Sequence, residues 1–145
     1  MLLAQYRGLA ELRHRIRLFL AFSERDARAA GVEPQQHQLL LAMKGLPEGE
    51  RATVRALAGR LLLKHHSVVE LADRLERRGL IARRASTLDR RETLLCITAT
   101  GERLLRKLSV THQNELRSEG GALMRALEML LAPAVVRKKR KRGAS

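Results

Sequence analysis

A charged amphipathic helix that stops at Gly79 and passes through Leu80-Ile81 into a short hairpin fixes the centre of this chain. From His65 to Arg78, Val68, Leu71, Ala72 and Leu75 recur at the spacing of one buried helix face, while Glu70, Asp73, Arg74 and Arg77 fall on the other. Beyond the glycine, residues 81–84 and Thr93 to Ile97 read as two strands around a loop from Ser86 to Arg91, with Arg90 and Arg91 in its tip. Upstream, Thr53 is a fitting N-cap for a short helix that buries Val54, Leu57, Ala58 and Leu61. A turn near Leu63-Lys64 joins the two helices. Short helix, tight turn, second helix and hairpin make a winged helix-turn-helix, in a chain that is mainly α with a small β-wing.

Four segments follow from this centre. Residues 1–46 form N-terminal helices: Leu9, Leu12, Ile16 and Leu20 mark a first one, Gly31 ends it, Pro34 starts a second, and Gly45 and Pro47 close that. Residues 47–97 are the winged region. Residues 98–136 form C-terminal helices, with Thr98 as N-cap and Gly120-Gly121 expected to break them. Residues 137–145 are a basic tail, expected to be disordered without a partner. The terminal helices carry more apolar surface than one small winged domain covers. A second copy of the chain, or an intramolecular bundle, would bury it.

Charge narrows the partners. The formal net charge is +14; six of those charges lie in residues 137–142, leaving eight on the rest. A polyanion is the leading partner on that ground, with RNA and an anionic membrane as the competing readings. Tyr6, Phe19 and Phe22 are the whole aromatic inventory, which disfavours single-strand binders that stack bases on aromatic platforms. The charged residues among the first 22 break any signal-peptide core, and no run approaches the ~20 apolar residues of a membrane span, so a cytoplasmic protein is expected. Cys96 is the only cysteine; no intrachain disulfide exists, and the thiol reads as a small buried hydrophobe. Paired carboxylates, a glycine-rich phosphate loop and a nucleophile-base signature are all missing, so no enzyme and no cofactor are expected.

The segments Thr53 to Ala58 and His65 to Ile81, with Asp89-Arg90-Arg91, Leu95-Cys96-Ile97-Thr98 and Gly101, resemble the MarR family of winged helix-turn-helix regulators. The resemblance is close over Thr53 to Leu108. It implies a homodimer on a pseudo-palindromic double-stranded DNA operator, usually repressing transcription and releasing DNA when a small-molecule effector or an oxidant acts. The oxidant-sensing branch uses a cysteine near the N-terminus, which this chain lacks. An RNA- or ribosome-associated module and a protein-interaction adaptor are the rival functions.

Site residues follow from position. Lys64, His65, His66, Ser67, Val69 and Glu70 occupy the first turns of the second helix, where side chains of a recognition helix meet base edges. Arg90 and Arg91 suit the negative potential of a narrow minor groove, with Asp89 orienting one of them. Thr53, Arg55, Arg74 and Arg77 are candidate phosphate contacts, the arginines equally surface ion pairs. His65 and His66 point about 100° apart on a helix, so no metal is expected there. His14 and His112 lie on different helices and are expected to be solvated or hydrogen-bonded, with a mutual contact as the alternative. Arg15, Phe19 and Phe22 are candidates to line an effector pocket between the winged region and the terminal helices, with the two phenylalanines otherwise core.

Overall fold

The computed structural model describes residues 1–133, in the order α1 (Leu3–Ala29), α2 (Pro34–Lys44), α3 (Val54–Leu61), α4 (His65–Arg77), β1 (Ile81–Ala85), β2 (Thr93–Ile97) and α5 (Ala99–Leu131). The basic tail expected at 137–145 lies outside the described residues. Two helices end in the same way. At α1, the Val32 amide donates to the Ala27 carbonyl at 3.0 Å, with Gly31 at φ +85° between them. At α4, the Leu80 amide donates to the Leu75 carbonyl at 3.0 Å, with Gly79 at φ +70°. A left-handed glycine followed by a buried apolar residue satisfies the last carbonyls and anchors the exit. Val32 and Leu80 are the anchors.

α2, α3 and α4 surround one core with the wing and the start of α5. Leu39 and Leu40 from α2, Leu57 from α3, Leu75 from α4, Ile81 from β1 and Leu108 from α5 are all essentially inaccessible. Each such side chain contributes about 2 kcal/mol of burial. The wing strands pair antiparallel from Ile81↔Ile97 to Ala85↔Thr93. A single bridge, Thr53↔Leu94, ties the approach to α3 onto β2. The thiol of Cys96, opposite Ala82 in that register, is half-buried rather than buried, because β2 is covered by the core on one side only.

α1 and α5 run antiparallel, Gly8 meeting Leu130 at one end and Asp26 meeting His112 toward the other. The helix break expected at Gly120-Gly121 is absent: α5 continues through both glycines to Leu131. A glycine in a helix costs only about 1 kcal/mol against alanine, and packing along a long partner helix outweighs it. His14 and His112 do not meet within the protomer. His14 borders a hollow with Ala126 and Met129, whereas His112 packs against His37 and Asp26.

The turn after α4 is fastened to the start of α5. Thr98 Oγ1 accepts from the Gly101 amide at 3.1 Å and donates to the Gly79 carbonyl at 2.6 Å, while the Thr98 amide donates to the Leu80 carbonyl at 3.1 Å. A Cβ on Gly101 would stand 2.1 Å from the Leu80 carbonyl oxygen, so only glycine admits this approach. Gly101→Ala should lower stability by about 3 kcal/mol, read as a shifted urea midpoint at fixed protein concentration. Gly121→Ala should instead raise it by up to about 1 kcal/mol, since the helix is continuous there and the nearest atom is the flexible end of Arg125. A loss of stability in Gly121→Ala would contradict an unbroken α5.

Candidate nucleic-acid interface

α4 begins at a non-helical Lys64 that offers its first turn no side-chain cap. The turn is instead closed by backbone bonds, the Ser67 and Val68 amides donating to the Lys64 carbonyl at 3.0 and 3.2 Å. Val68, Leu71, Ala72 and Leu75 hold the helix on the core, which turns Lys64, His65, His66 and Glu70 outward. Ser67 and Val69 are half-buried at the edge of that exposed face. The amides of this turn and the cationic side chains around it suit a polyanion.

A groove of about 500 Å³ runs between the start of α3, α4 and the wing. It brings together Thr53, Arg55, His65, Val69 and Arg91 from three separate stretches of chain. Thr53 Oγ1 already accepts from the Ala56 amide at 3.1 Å, so only its hydroxyl proton remains for a phosphate. Arg74 lies elsewhere, in a hollow with Arg28, Glu33 and Gln35. Arg77 is exposed and donates to the Asp73 carbonyl at 3.3 Å. The structure therefore groups Arg55 with the wing and separates Arg74 from it.

The wing tip is built on Ser86, whose residue is buried although it sits at the end of β1. Its Oγ accepts from the Leu88 and Asp89 amides at 3.2 and 3.3 Å, and from Arg51 at 3.3 Å. Arg51 also pairs with Glu92, and the Ser86 amide donates to the Glu92 carbonyl at 3.0 Å. The Glu92 carboxylate, short of hydrogen bonds otherwise, is thereby matched by a charge. Asp89 acts on the backbone: its Oδ1 accepts from the Arg91 amide at 2.9 Å and bends the tip, leaving Arg90 and Arg91 exposed.

A second fastening joins the wing to α4. Arg83 on β1 donates to Asp73 Oδ1 at 2.5 Å and to Glu76 Oε1 at 3.0 Å. Burial works against the charge of Arg83, but the bonds to Asp73 and Glu76 outweigh it and raise the pKa above the ordinary arginine value. Arg51, Arg83, Ser86 and Glu92 escaped the reading of the sequence. The signal was partial: Asp73 and Glu76 share one face of α4 three residues apart, an arrangement that invites a cation from the next element.

Arg15, Phe19 and Phe22 do converge, but in a hollow of about 260 Å³ between α1 and α5, with Arg25, Glu115 and Leu123. They do not lie together between the winged region and the terminal helices. The junction of α1, α2 and α5 holds a different hollow, about 490 Å³, lined by Phe19, His37, Leu41, Arg106 and His112. Phe19 and Leu116 border both. Arg15 is already paired with Glu11 at 2.8 Å.

No curated protein matches this chain in sequence. Among solved structures, AbsC, a MarR family transcriptional regulator from Streptomyces coelicolor, is 22% identical, with a TM-score of 0.68 over 92% of this chain and 84% of that one. A mutant of S. aureus MepR bound to an oligodeoxyribonucleotide is 17% identical, with a TM-score of 0.63 over 82% of this chain and 91% of its own. CouR from Rhodococcus jostii, bound to p-coumaroyl-CoA, is 21% identical, with a TM-score of 0.64 over 86% and 92%. At such identities what is shared is the fold, a winged helix flanked by long helices. Residues 30–92, which carry α2, the helix-turn-helix and the wing loop, match the model of the MarR family. In this winged-helix segment the chain is similar to the MarR family.

Proposed function

We propose that this chain is a sequence-specific double-stranded DNA-binding transcriptional regulator, acting as a homodimeric repressor that a small ligand releases. The observation that carries the reading is the cationic surface assembled from Arg55, Lys64, His65 and His66 beside the exposed wing arginines Arg90 and Arg91. α4 is the recognition helix, with Lys64, His65, His66, Ser67, Val69 and Glu70 facing base edges in the major groove. Arg90 and Arg91 reach the flanking minor groove, and Thr53, Arg55 and Arg77 hold phosphates. Arg74, from its separate hollow, is assigned an outer phosphate of the same duplex.

Dimerisation is supported by what folding leaves uncovered. Leu9, Ile16 and Leu20 of α1 and Leu116, Met124 and Leu127 of α5 remain exposed although the two helices already pack together. An intramolecular bundle does not cover them, and a second copy would. Segments 1–46 and 98–136 then serve dimerisation and support, and 47–97 serves DNA reading. Two recognition helices about 34 Å apart would match one turn of duplex. MepR's oligodeoxyribonucleotide and CouR's acyl-CoA ligand, each bound to the same fold, support DNA and effector as the two partners. The effector is assigned to the hollows that Phe19 borders. No described helix is long and apolar enough to cross a membrane, and a cytoplasmic site of action fits the DNA partner.

Selection of genomic duplexes by the purified chain at moderate salt should enrich a pseudo-palindrome with half-sites about one helical turn apart. Sequence-blind binding that vanishes with salt would favour an RNA or architectural role, and no duplex binding would overturn the reading. On the selected duplex, Arg90→Ala and Arg91→Ala should each weaken binding by roughly tenfold and flatten its salt dependence; an adaptor would be indifferent. Arg83→Ala should loosen the wing, costing about 1 kcal/mol of stability because its partners are half-exposed. It should also weaken duplex binding without changing the salt slope, which a titration at several salt concentrations would check.

A further inference from the structure

Three titratable side chains from three helices meet in the interior, away from the duplex-facing surface: Asp26 of α1, His37 of α2 and His112 of α5. His37 is 1% exposed and His112 8%. Their rings stand edge to face with centroids 5.0 Å apart, and the edges of Phe19 and Phe22 close on His112. His112 Nε2 lies 3.1 Å from Asp26 Oδ2, near enough for charge attraction but not aligned as a hydrogen bond. His37 Nδ1 is 3.4 Å from Gln38 Nε2, and its buried Nε2 has no partner among the described residues.

We propose that Asp26, His37 and His112 form a proton-operated latch between the α1/α5 pair and the winged unit, so that acid displaces α2 and weakens duplex binding. The proposal rests on the regulator reading. The Asp26 carboxylate lies beside His112 rather than His37. A proton added to His37 would sit in a buried site about 5 Å from the His112 ring, with its Nε2–H lacking an acceptor among the described residues. Both facts oppose it. The charged or titratable groups around His37 are Asp26 from α1 and His112 and Arg106 from α5; α3, α4 and β2 meet α2 through the apolar core. On the α4 side Arg78 reaches Gln36, one residue away, and at the far end Lys44 pairs with Glu102. Among the described residues Asp26 is therefore the one carboxylate in place, and it lies beside His112.

The way out is the hollow beside the pair, lined by Phe19, Ser23, His37, Gln38 and Arg106. His37 reaches water there only if α2 turns. That helix also carries Leu39, Leu40 and Met43 into the winged core, so turning it moves the recognition helix relative to α1 and α5. Burial, followed by the charge of His112 and opposed by Asp26, pushes the His37 pKa below the ordinary imidazole value. The unfolded chain takes up a proton that the latched chain refuses. Latch stability is full above about pH 6.5 and falls as pH drops below it.

His37→Phe keeps a ring in place and removes the titration, so the full chain and this variant are compared on one selected duplex at about pH 7.5 and about pH 5.5. His65 and His66 are common to both proteins, so the ratio of the two affinities is the quantity read. The wild-type affinity divided by that of His37→Phe should be near one at the higher pH and fall severalfold at the lower. An unchanged ratio would overturn the latch. Amide exchange supplies a readout that needs no DNA: α2 should lose protection in acid in the wild type and keep it in His37→Phe, and equal protection would also overturn it. If no duplex binds at either pH, the regulator reading fails and amide exchange alone decides the latch. Should His37→Phe not fold, Asp26→Asn removes the counter-charge that favours protonated His37 in the latched state and should move the acid response to higher pH; an unmoved response counts against the latch.

Discussion

The contact on which this structure depends is the seating of the Gly79-Leu80 turn on the first turn of α5. Thr98 caps α5 with the same hydroxyl that donates to the Gly79 carbonyl, and its amide takes the Leu80 carbonyl. Gly101 gives up its side chain so that the Leu80 carbonyl can approach. Four structural decisions meet in these few residues: where α4 stops, where β1 starts, where β2 ends and which way α5 leaves. Leu80 and Ile81, both buried, lock the turn from the core side. A long helix aimed by this turn reaches back along α1, so the winged unit and the helical pair are set by one joint.

Charge is distributed around that joint by consumption. Three carboxylates beside the recognition helix and wing are taken up inside the protein, Asp73 and Glu76 by Arg83, and Glu92 by Arg51, while Glu70 stays exposed on α4. Exposed ion pairs of this kind contribute little stability each. Their larger effect is on the surface field: with these three acids paired, the cations Lys64, Arg55, Arg90 and Arg91 outnumber the acid Glu70 on the exposed face. The same pairs hold the wing at a fixed angle to α4, so the geometry of the cationic face and its sign have one origin. Asp89 adds to this by spending its carboxylate on the Arg91 amide, which aims the tip without neutralising its guanidinium groups.

The elements of the winged region were legible because each carries a local signal: Thr53 and Thr98 as caps, Gly31 and Gly79 as left-handed stops, and the period of Val68, Leu71 and Leu75. What was misread depended on distant partners. Gly120-Gly121 resembles a break when α5 is considered alone, yet α1 lies alongside and sustains the helix. The clasps of Arg51 and Arg83 join residues 35 and 10 positions apart, beyond the reach of any helical or strand period. The gathering of Asp26, His37 and His112 was hidden for the same reason, since a histidine between glutamines on α2 gives no hint that it is buried. Arg15, Phe19 and Phe22, about one turn apart on one face, line one hollow, but the sequence could not tell which helix they would face.

α2 is the element through which these features act on each other. One of its sides supplies Leu39 and Leu40 to the core beneath α3 and α4, and another presents His37 to α1 and α5. Close-packed interiors transmit displacement because side chains have discrete alternatives rather than soft ones. A helix eleven residues long, wedged between a DNA-facing unit and a helical pair with exposed apolar flanks, cannot turn without moving one against the other. In a dimer built on those flanks, such a turn alters the separation of the two recognition helices. Affinity for a two-site duplex depends on that separation, because both halves bind well only when the span between them matches. Anything that acts on the buried face of α2, whether a proton on His37 or a ligand in the adjoining hollow, therefore has a mechanical route to the DNA surface without touching it.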